Sequence, residues 1–260
     1  MRLDLATVLL QWAAGGLFGA WVTTRRRVVG AGYGWLIRGV FGMIALAGTA
    51  VAIRSGDSGV AAAVRLIGGA AMTAFAAAAL AVSVRRRRAP VAHRKLGFPP
   101  WVDLLAPAWG AAGLLGAAAV VGGPYALTAG RLLVGAVFLG LVTNAMLLGH
   151  WYLVQPGLSR EPTKQLVHLV CWTWPIEVAL LLVPTGMISV LDGRIDDGYQ
   201  GLLGWIWVVS AAMTLALALL ASRALEERYY SAVMAATGLL YLAILTAFGT
   251  DVLARALLAR

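Results

Sequence analysis

A chain of 260 residues that is 61% hydrophobic and 12% charged lies far from the ~45–50% apolar and ~25% charged composition of soluble domains. That excludes a water-soluble globular protein and makes lipid the solvent of its apolar surface. The formal charge of +10 would suggest nucleic acid in a soluble chain, but the basic residues stand in short blocks between apolar runs, which is the pattern of orientation signals and argues against nucleic-acid binding.

Crossing ~30 Å of hydrocarbon takes about 20 apolar residues at 1.5 Å each. The chain holds about eight such runs, which predicts an all-α, polytopic transmembrane helix bundle. The first runs from Leu3 to Val22; Asp4 near its start, the lack of a small-residue cleavage site and the block Arg25-Arg26-Arg27 beyond it predict a retained span rather than a cleaved leader. The second, Gly34 to Ile53, contains Arg38. The third, Val60 to Val84, contains Arg65 near its start and is followed by Arg85 to Arg88. From Arg85 to Pro100, Pro90, Pro99, Pro100 and Gly97 predict an irregular loop. The fourth span, Trp101 to Val121, is rich in Ala and Gly. The fifth, Arg131 to Val154, carries Arg131, Thr143, Asn144 and His150, and the sixth, Gln165 to Val190, carries His168, Pro175 and Glu177. Gly201 to Ala221 and Tyr229 to Phe248 complete the set, and the tail 251–260 is expected to lie in the membrane interface as a short helix, with Asp251 and Arg255 on one face.

Basic residues divide unevenly between the two ends of these spans. Arg25 to Arg27, Arg85 to Arg88, Arg94, Lys95, Arg160, Lys164, Arg223 and Arg228 share one side, while Arg2, Arg54, Arg194, Arg255 and Arg260 on the other are diluted by five aspartates. The richer side is expected to be cytoplasmic in a bacterial-type inner membrane, with both termini on the non-cytoplasmic side.

Ionisable groups at membrane depth are expensive and are candidate sites by default. Glu177 is expected near the bilayer midplane, with Pro175 kinking the helix beside it; it is either a proton or ligand contact or a carboxyl satisfied by Asn144 or Thr143 on a neighbouring helix. His150 and His168 close the fifth span and open the sixth at similar depth. Facing imidazoles there could hydrogen-bond a quinone or, less favoured, ligate a haem; the alternative is that they anchor helices at the headgroups with Trp151, Tyr152 and Trp172. Nine residues separate His168 from Glu177, which turns them to opposite faces of one helix. Arg38, Arg65 and Arg131 either snorkel to lipid phosphates or, for Arg65 and Arg131, converge on an anion. Tyr230, Thr237 and Tyr241 form a hydroxyl stripe on the last span, which either lines a cavity, making Thr237 and Tyr241 proton or ligand contacts beside Glu177 and Asn144, or hydrogen-bonds to adjacent helices. The lone Cys171 rules out an intrachain disulfide and a cysteine-built metal site, and no phosphate loop, zinc-protease motif or nucleophile elbow is present.

The segments Leu148 to Leu158, containing Gly149-His150-Trp151-Tyr152-Leu153, and Ala236 to Ala243, containing Ala236-Thr237-Gly238-Leu239-Leu240-Tyr241, resemble segments of multi-pass bacterial membrane proteins to which no activity is assigned. The resemblance covers under a fifth of the chain. It adds weight to His150, Trp151, Thr237 and Tyr241 and implies no mechanism.

Three functions fit these residues. The leading expectation is a membrane subunit or accessory protein of an electron-transfer complex, docked on other membrane subunits, with a quinone or haem contact near His150 and His168. The second is a small-solute or proton transporter using Glu177. The third is a structural helix bundle with no ligand site.

Overall fold

The structure, a computed structural model, describes residues 3–88, 99–155, 157–183 and 186–259. Among them every regular element is helical, and eight helices are long and apolar enough to cross a membrane, as a multi-pass membrane protein requires. The loop expected between Arg85 and Pro100 lies largely outside the described residues.

Helix α1 (Leu5–Thr24) starts on Asp4, whose carboxylate accepts the amides of Ala6 at 3.3 Å and Thr7 at 3.1 Å, the standard relief for orphan first-turn donors. Helices α2 (Ala31–Arg54) and α3 (Val60–Arg88) follow. A 3-10 turn at Pro100–Leu104 leads into α4 (Leu105–Val121), which stops where Gly122 and Gly123 take φ values of 79° and 94°. Helix α5 (Tyr125–Trp151) is entered from Pro124, and α6 (Glu161–Leu182) is followed by the short α7 (Gly186–Leu191). Helices α8 (Leu202–Glu226) and α9 (Tyr230–Phe248) come next; a π-helical turn at Gly249–Leu253 then joins α9 to α10 (Ala254–Leu257).

Helices α1 and α5 form the centre. Helix α1 packs on α2, α4, α5 and α6, and α5 on α4, α6 and α9. In lipid no hydrophobic force drives helices together, so close backbone approach and shared hydrogen bonds must do so. The approach occurs at Gly15 and Gly140, whose backbones touch; a Cβ on either would overlap backbone atoms of the other helix, which cannot yield as a side chain can. One turn further along, Asn144 Nδ2 donates to Gly16 O at 2.9 Å, Tyr33 Oη from α2 donates to Asn144 Oδ1 at 3.2 Å, and Trp12 Nε1 donates to Thr143 Oγ1 at 3.0 Å. Gly140→Ala is expected to push α1 and α5 apart and cost about 2 kcal/mol or more in a detergent unfolding titration, whereas Gly39→Ala, with open space around it, should be neutral or slightly stabilising.

Three expected boundaries shift. The fifth span begins at Tyr125 rather than Arg131, because Pro124 supplies the extended residue that starts the helix; Arg131 therefore lies ~9 Å inside it. The sixth does not run unbroken to Val190. It continues through Pro175 and ends at Leu182, with Val183 extended (φ −105°, ψ 153°), as the residue before Pro184 should be. The tail is not a surface helix: the last span continues through the π turn, and Asp251 and Arg255 are 1% and 2% exposed. Their charges meet inside the bundle instead of at headgroups.

The connection from α7 to α8 is held by Asp197, whose carboxylate accepts the amides of Tyr199 at 2.8 Å, Gly201 at 2.9 Å and Leu203 at 2.8 Å. Burial pushes this acid up, but those amides outweigh it and hold it below the ordinary carboxylate range. A depressed folded value contributes stability that is complete above the unfolded value near ~3.9 and is lost as pH falls through the folded one. Asp197→Asn should therefore lower the thermal midpoint at neutral pH, with the difference shrinking below about pH 4.

Candidate functional site

Glu177 is fully buried, and neither of its carboxylate oxygens has a hydrogen-bond partner among the described residues. It faces Gln11 of α1, Gly135 of α5 and Asp251 of the π turn. A Cβ at Gly135 would lie 2.8 Å from Asp251 Oδ1 and 3.3 Å from Glu177 Oε1, and closer still to Gln11 Nε2. The absence of a side chain at Gly135 is what lets these polar heads meet. Gln11 Nε2 donates to Asp251 Oδ1 at 3.3 Å, and Arg255 Nη2 donates to Asp251 Oδ2 from the next helical turn. Arg255, Arg131 and Asp251 all act electrostatically on Glu177.

Two acids and two guanidinium groups thus gather in one buried cluster of zero formal charge. Its saturation is incomplete: besides both Glu177 oxygens, Gln11 Oε1 and Arg255 Nε are also without partners. Buried polar atoms are nearly always hydrogen-bonded, and each exception needs a physical reason. Depth is similar for all four contributing chain segments. Gln11 lies about six residues from the start of α1, Arg131 about six from the start of α5, Glu177 about five from the end of α6 and Asp251 about six before Leu257, or ~8–9 Å from the nearest helix end in each case. Glu177 therefore lies about five residues from the end of α6, because that helix stops at Leu182 instead of running unbroken to Val190.

Arg131 caps the broken helix. Its Nε donates to Leu180 O at 2.8 Å and its Nη2 to Val183 O at 3.0 Å, so a cation sits at the carbonyl end of α6, where the helix dipole is negative. Neither anion convergence nor snorkelling describes the three arginines, which are buried and committed to internal partners. Arg65 bonds Asp4 Oδ2 and Asp57 Oδ2, each at 2.8 Å, tying α1 to the α2–α3 turn. Arg38 meets Asp103 through Nε at 2.8 Å and Nη2 at 2.6 Å. Each head group is within hydrogen-bond reach of a carboxylate or carbonyl from another part of the fold.

The other expected contacts separate. Asn144 and Thr143 do not satisfy Glu177; they are used at the α1–α5 crossing. His150 and His168 are both exposed on the bundle perimeter, and no hydrogen bond joins them among the described residues. His168 and Glu177 do face opposite ways, one outward and one inward. His150 packs against Tyr241, ring centroids 6.1 Å apart, and Thr237 lies against Gly149, so Leu148 to Leu158 and Ala236 to Ala243 are neighbours on α5 and α9. The stripe on α9 is divided: Thr237 is buried and bonds Val233 O, while Tyr230 and Tyr241 are exposed.

Gln11, Asp103 and Gly135 went unnoticed in the sequence. Gln11 had a usable signal, since it is an amide within an apolar span; Gly135 had none, being one of 31 glycines. No group of three or more metal-binding side chains occurs among the described residues. Compared with protein-family models, with curated proteins and with solved structures, the chain has no match in any of the three.

Proposed function

We propose that the chain is a multi-pass membrane transporter of a proton or a proton-linked small solute, with Glu177 as the carboxyl that takes up and releases the proton. The observation that carries this reading is the unsatisfied Glu177 carboxyl within a cluster of two acids and two guanidinium groups, beside the break between α6 and α7. Interrupted helices with ionisable groups beside them are the usual setting of transported ions. In the proposed exchange, a proton on Glu177 lets that carboxyl donate to the Asp251 carboxylate while Arg255 stays on Asp251. When the proton leaves, Arg255 Nε, which has no partner, supplies the hydrogen bond that the new Glu177 carboxylate requires. Gln11 Oε1 offers an acceptor for a water molecule carrying the proton.

The electron-transfer reading has less support, because both imidazoles face outward and a quinone or haem pocket would need another subunit to close it. We further propose a bacterial-type inner membrane with the Arg25–Arg27 face cytoplasmic and both termini on the other side, on the strength of the basic asymmetry. In a Cys171→Ser background, Asp196→Cys is expected to react with an impermeant maleimide on intact cells, and Arg26→Cys only after permeabilisation; the reverse pattern would invert the orientation.

Dicyclohexylcarbodiimide, an apolar reagent for protonated carboxyls, tests the site directly. An adduct mapped to Glu177 by mass spectrometry, diminishing as pH rises, is the expected outcome. Labelling of other carboxyls with none at Glu177 at any pH would sink the proposal.

A further inference from the structure

We propose that Arg131 latches α7 over the buried cluster, and that loss of the proton from Glu177 draws the Arg131 guanidinium off this latch and onto the Glu177 carboxylate, releasing α7. The coupling rests on Glu177 being the carboxyl that exchanges a proton, and it adds the element that opens to let the proton pass to water. Helix α7 is placed for that role. Its Met187 and Val190 pack in one apolar cluster with Leu181 of α6, Trp207 of α8 and Ala254 and Leu257 of α10, which lie on either side of Arg255 in the sequence. Ile188 and Leu191 of the same helix are exposed, so α7 is a single helical layer between the charged cluster and the surroundings of the bundle.

The Arg131 guanidinium touches both sides of the break. Its Nε and Nη2 hold Leu180 O and Val183 O at the end of α6. A Cβ on Gly186, the first residue of α7, would lie 2.8 Å from the same Nη2 and closer still to Leu181 O. The missing side chain at Gly186 therefore lets α7 start directly against the last carbonyls of α6 and the cation that caps them. Moving that cation removes the cap and the surface on which α7 begins.

An ionised Glu177 would call for it. The charged groups that act on Glu177 are Asp251 and Arg255, from the continuation of the last span, and Arg131 of α5; Gln11 of α1 is the neutral polar neighbour. Gln11 Nε2 and Arg255 Nη2 are engaged on Asp251. Arg255 Nε can serve one carboxylate oxygen, but both oxygens of Glu177 lack a partner, and Arg131 is the cation left for the second. It is within reach. Gly135, beside the Glu177 head, lies four residues after Arg131 on α5, and Leu180 lies three after Glu177 on α6. The present partners of the guanidinium and the Glu177 carboxyl are thus about one helical turn apart, ~5 Å along the axis. A guanidinium bound to a carboxylate gains roughly twice what it gains on a neutral acceptor, whereas a protonated Glu177 offers no such gain. The two protonation states therefore favour different positions of one cation, which is the differential interaction a two-state element requires.

The test reads the release of α7 in the full-length protein. In a Cys171→Ser background, Ser189→Cys places a thiol at a buried position of α7. Its rate of reaction with a water-soluble maleimide is divided by that of Asp196→Cys, an exposed position, to remove the pH dependence of the thiol chemistry itself. The ratio is expected to rise about tenfold across the pH range in which the carbodiimide adduct at Glu177 disappears. With Glu177→Gln added, it should stay at its acid value at every pH. With Arg131→Gln added, it should be high throughout, because the latch is missing. A flat ratio in the parent while the adduct still disappears would overturn the latch and leave the proton-exchanging carboxyl standing; no adduct at any pH would remove both. A ratio that still rises with Glu177→Gln, or one that follows pH unchanged with Arg131→Gln, would also overturn the latch, since other groups would then hold and release α7.

Discussion

Arg38→Leu is expected to destabilise the protein by about 3–5 kcal/mol. The pair it breaks is buried on both sides, with side-chain exposures of 6% for Arg38 and 5% for Asp103. Removing the guanidinium leaves a carboxylate whose remaining donor among the described residues is Thr24 Oγ1 at 3.1 Å. An ion pair in this setting contributes little net stability relative to apolar side chains of similar volume, because desolvating both charges offsets their attraction; leaving one charge alone is what costs. Arg38→Leu combined with Asp103→Leu should therefore recover most of the loss. Equilibrium unfolding of the three variants in mixed micelles checks this, and a double variant no better than the single would show that Arg38 acts through packing rather than through Asp103.

The cluster around Glu177 should respond in the opposite sense. Glu177→Gln is expected to keep or raise stability, by up to about 1–3 kcal/mol, the desolvation cost of a buried group without partners, while abolishing proton-linked transport. The amide can donate to the Asp251 carboxylate, which a second carboxylate cannot. Asp251→Asn removes the charge that holds Arg255, itself 2% exposed, and should cost about 3 kcal/mol. Two acids in one cluster would thus separate into a structural one and a functional one. The contrast follows the usual trade of stability for activity at working sites. Equal destabilisation by both substitutions would identify the whole cluster as structural.

Much of the architecture was legible because lipid imposes simple rules. Eight apolar runs of about the right length predicted eight helices, and the helical period alone put His168 and Glu177 on opposite faces. What could not be read was where charged side chains would find partners. Arg38, Arg65 and Arg131 were each placed at a membrane surface by distance along the chain, yet each turns to a partner from another element: Asp103, Asp4 with Asp57, and the α6 carbonyls. Apart from Arg65 with Asp57, eight positions apart, these pairings span 49 to 65 positions and depend on how helices pack. Hydropathy alone ends the last span at the polar tail, whereas Asp251 and Arg255 pair inside the bundle and the helix continues through them. The histidine pair shows the converse: similar depth predicts neighbouring imidazoles, but His150 and His168 both point outward.

The most direct test of the central claim, that Glu177 exchanges a proton from inside the bundle, is pH-difference infrared spectroscopy of the protein in lipid. The account predicts a carboxylic C=O band that disappears as pH rises, is present in the parent and in Cys171→Ser, and is absent in Glu177→Gln. A spectrum with no such band, or with one that Glu177→Gln leaves unchanged, would contradict it.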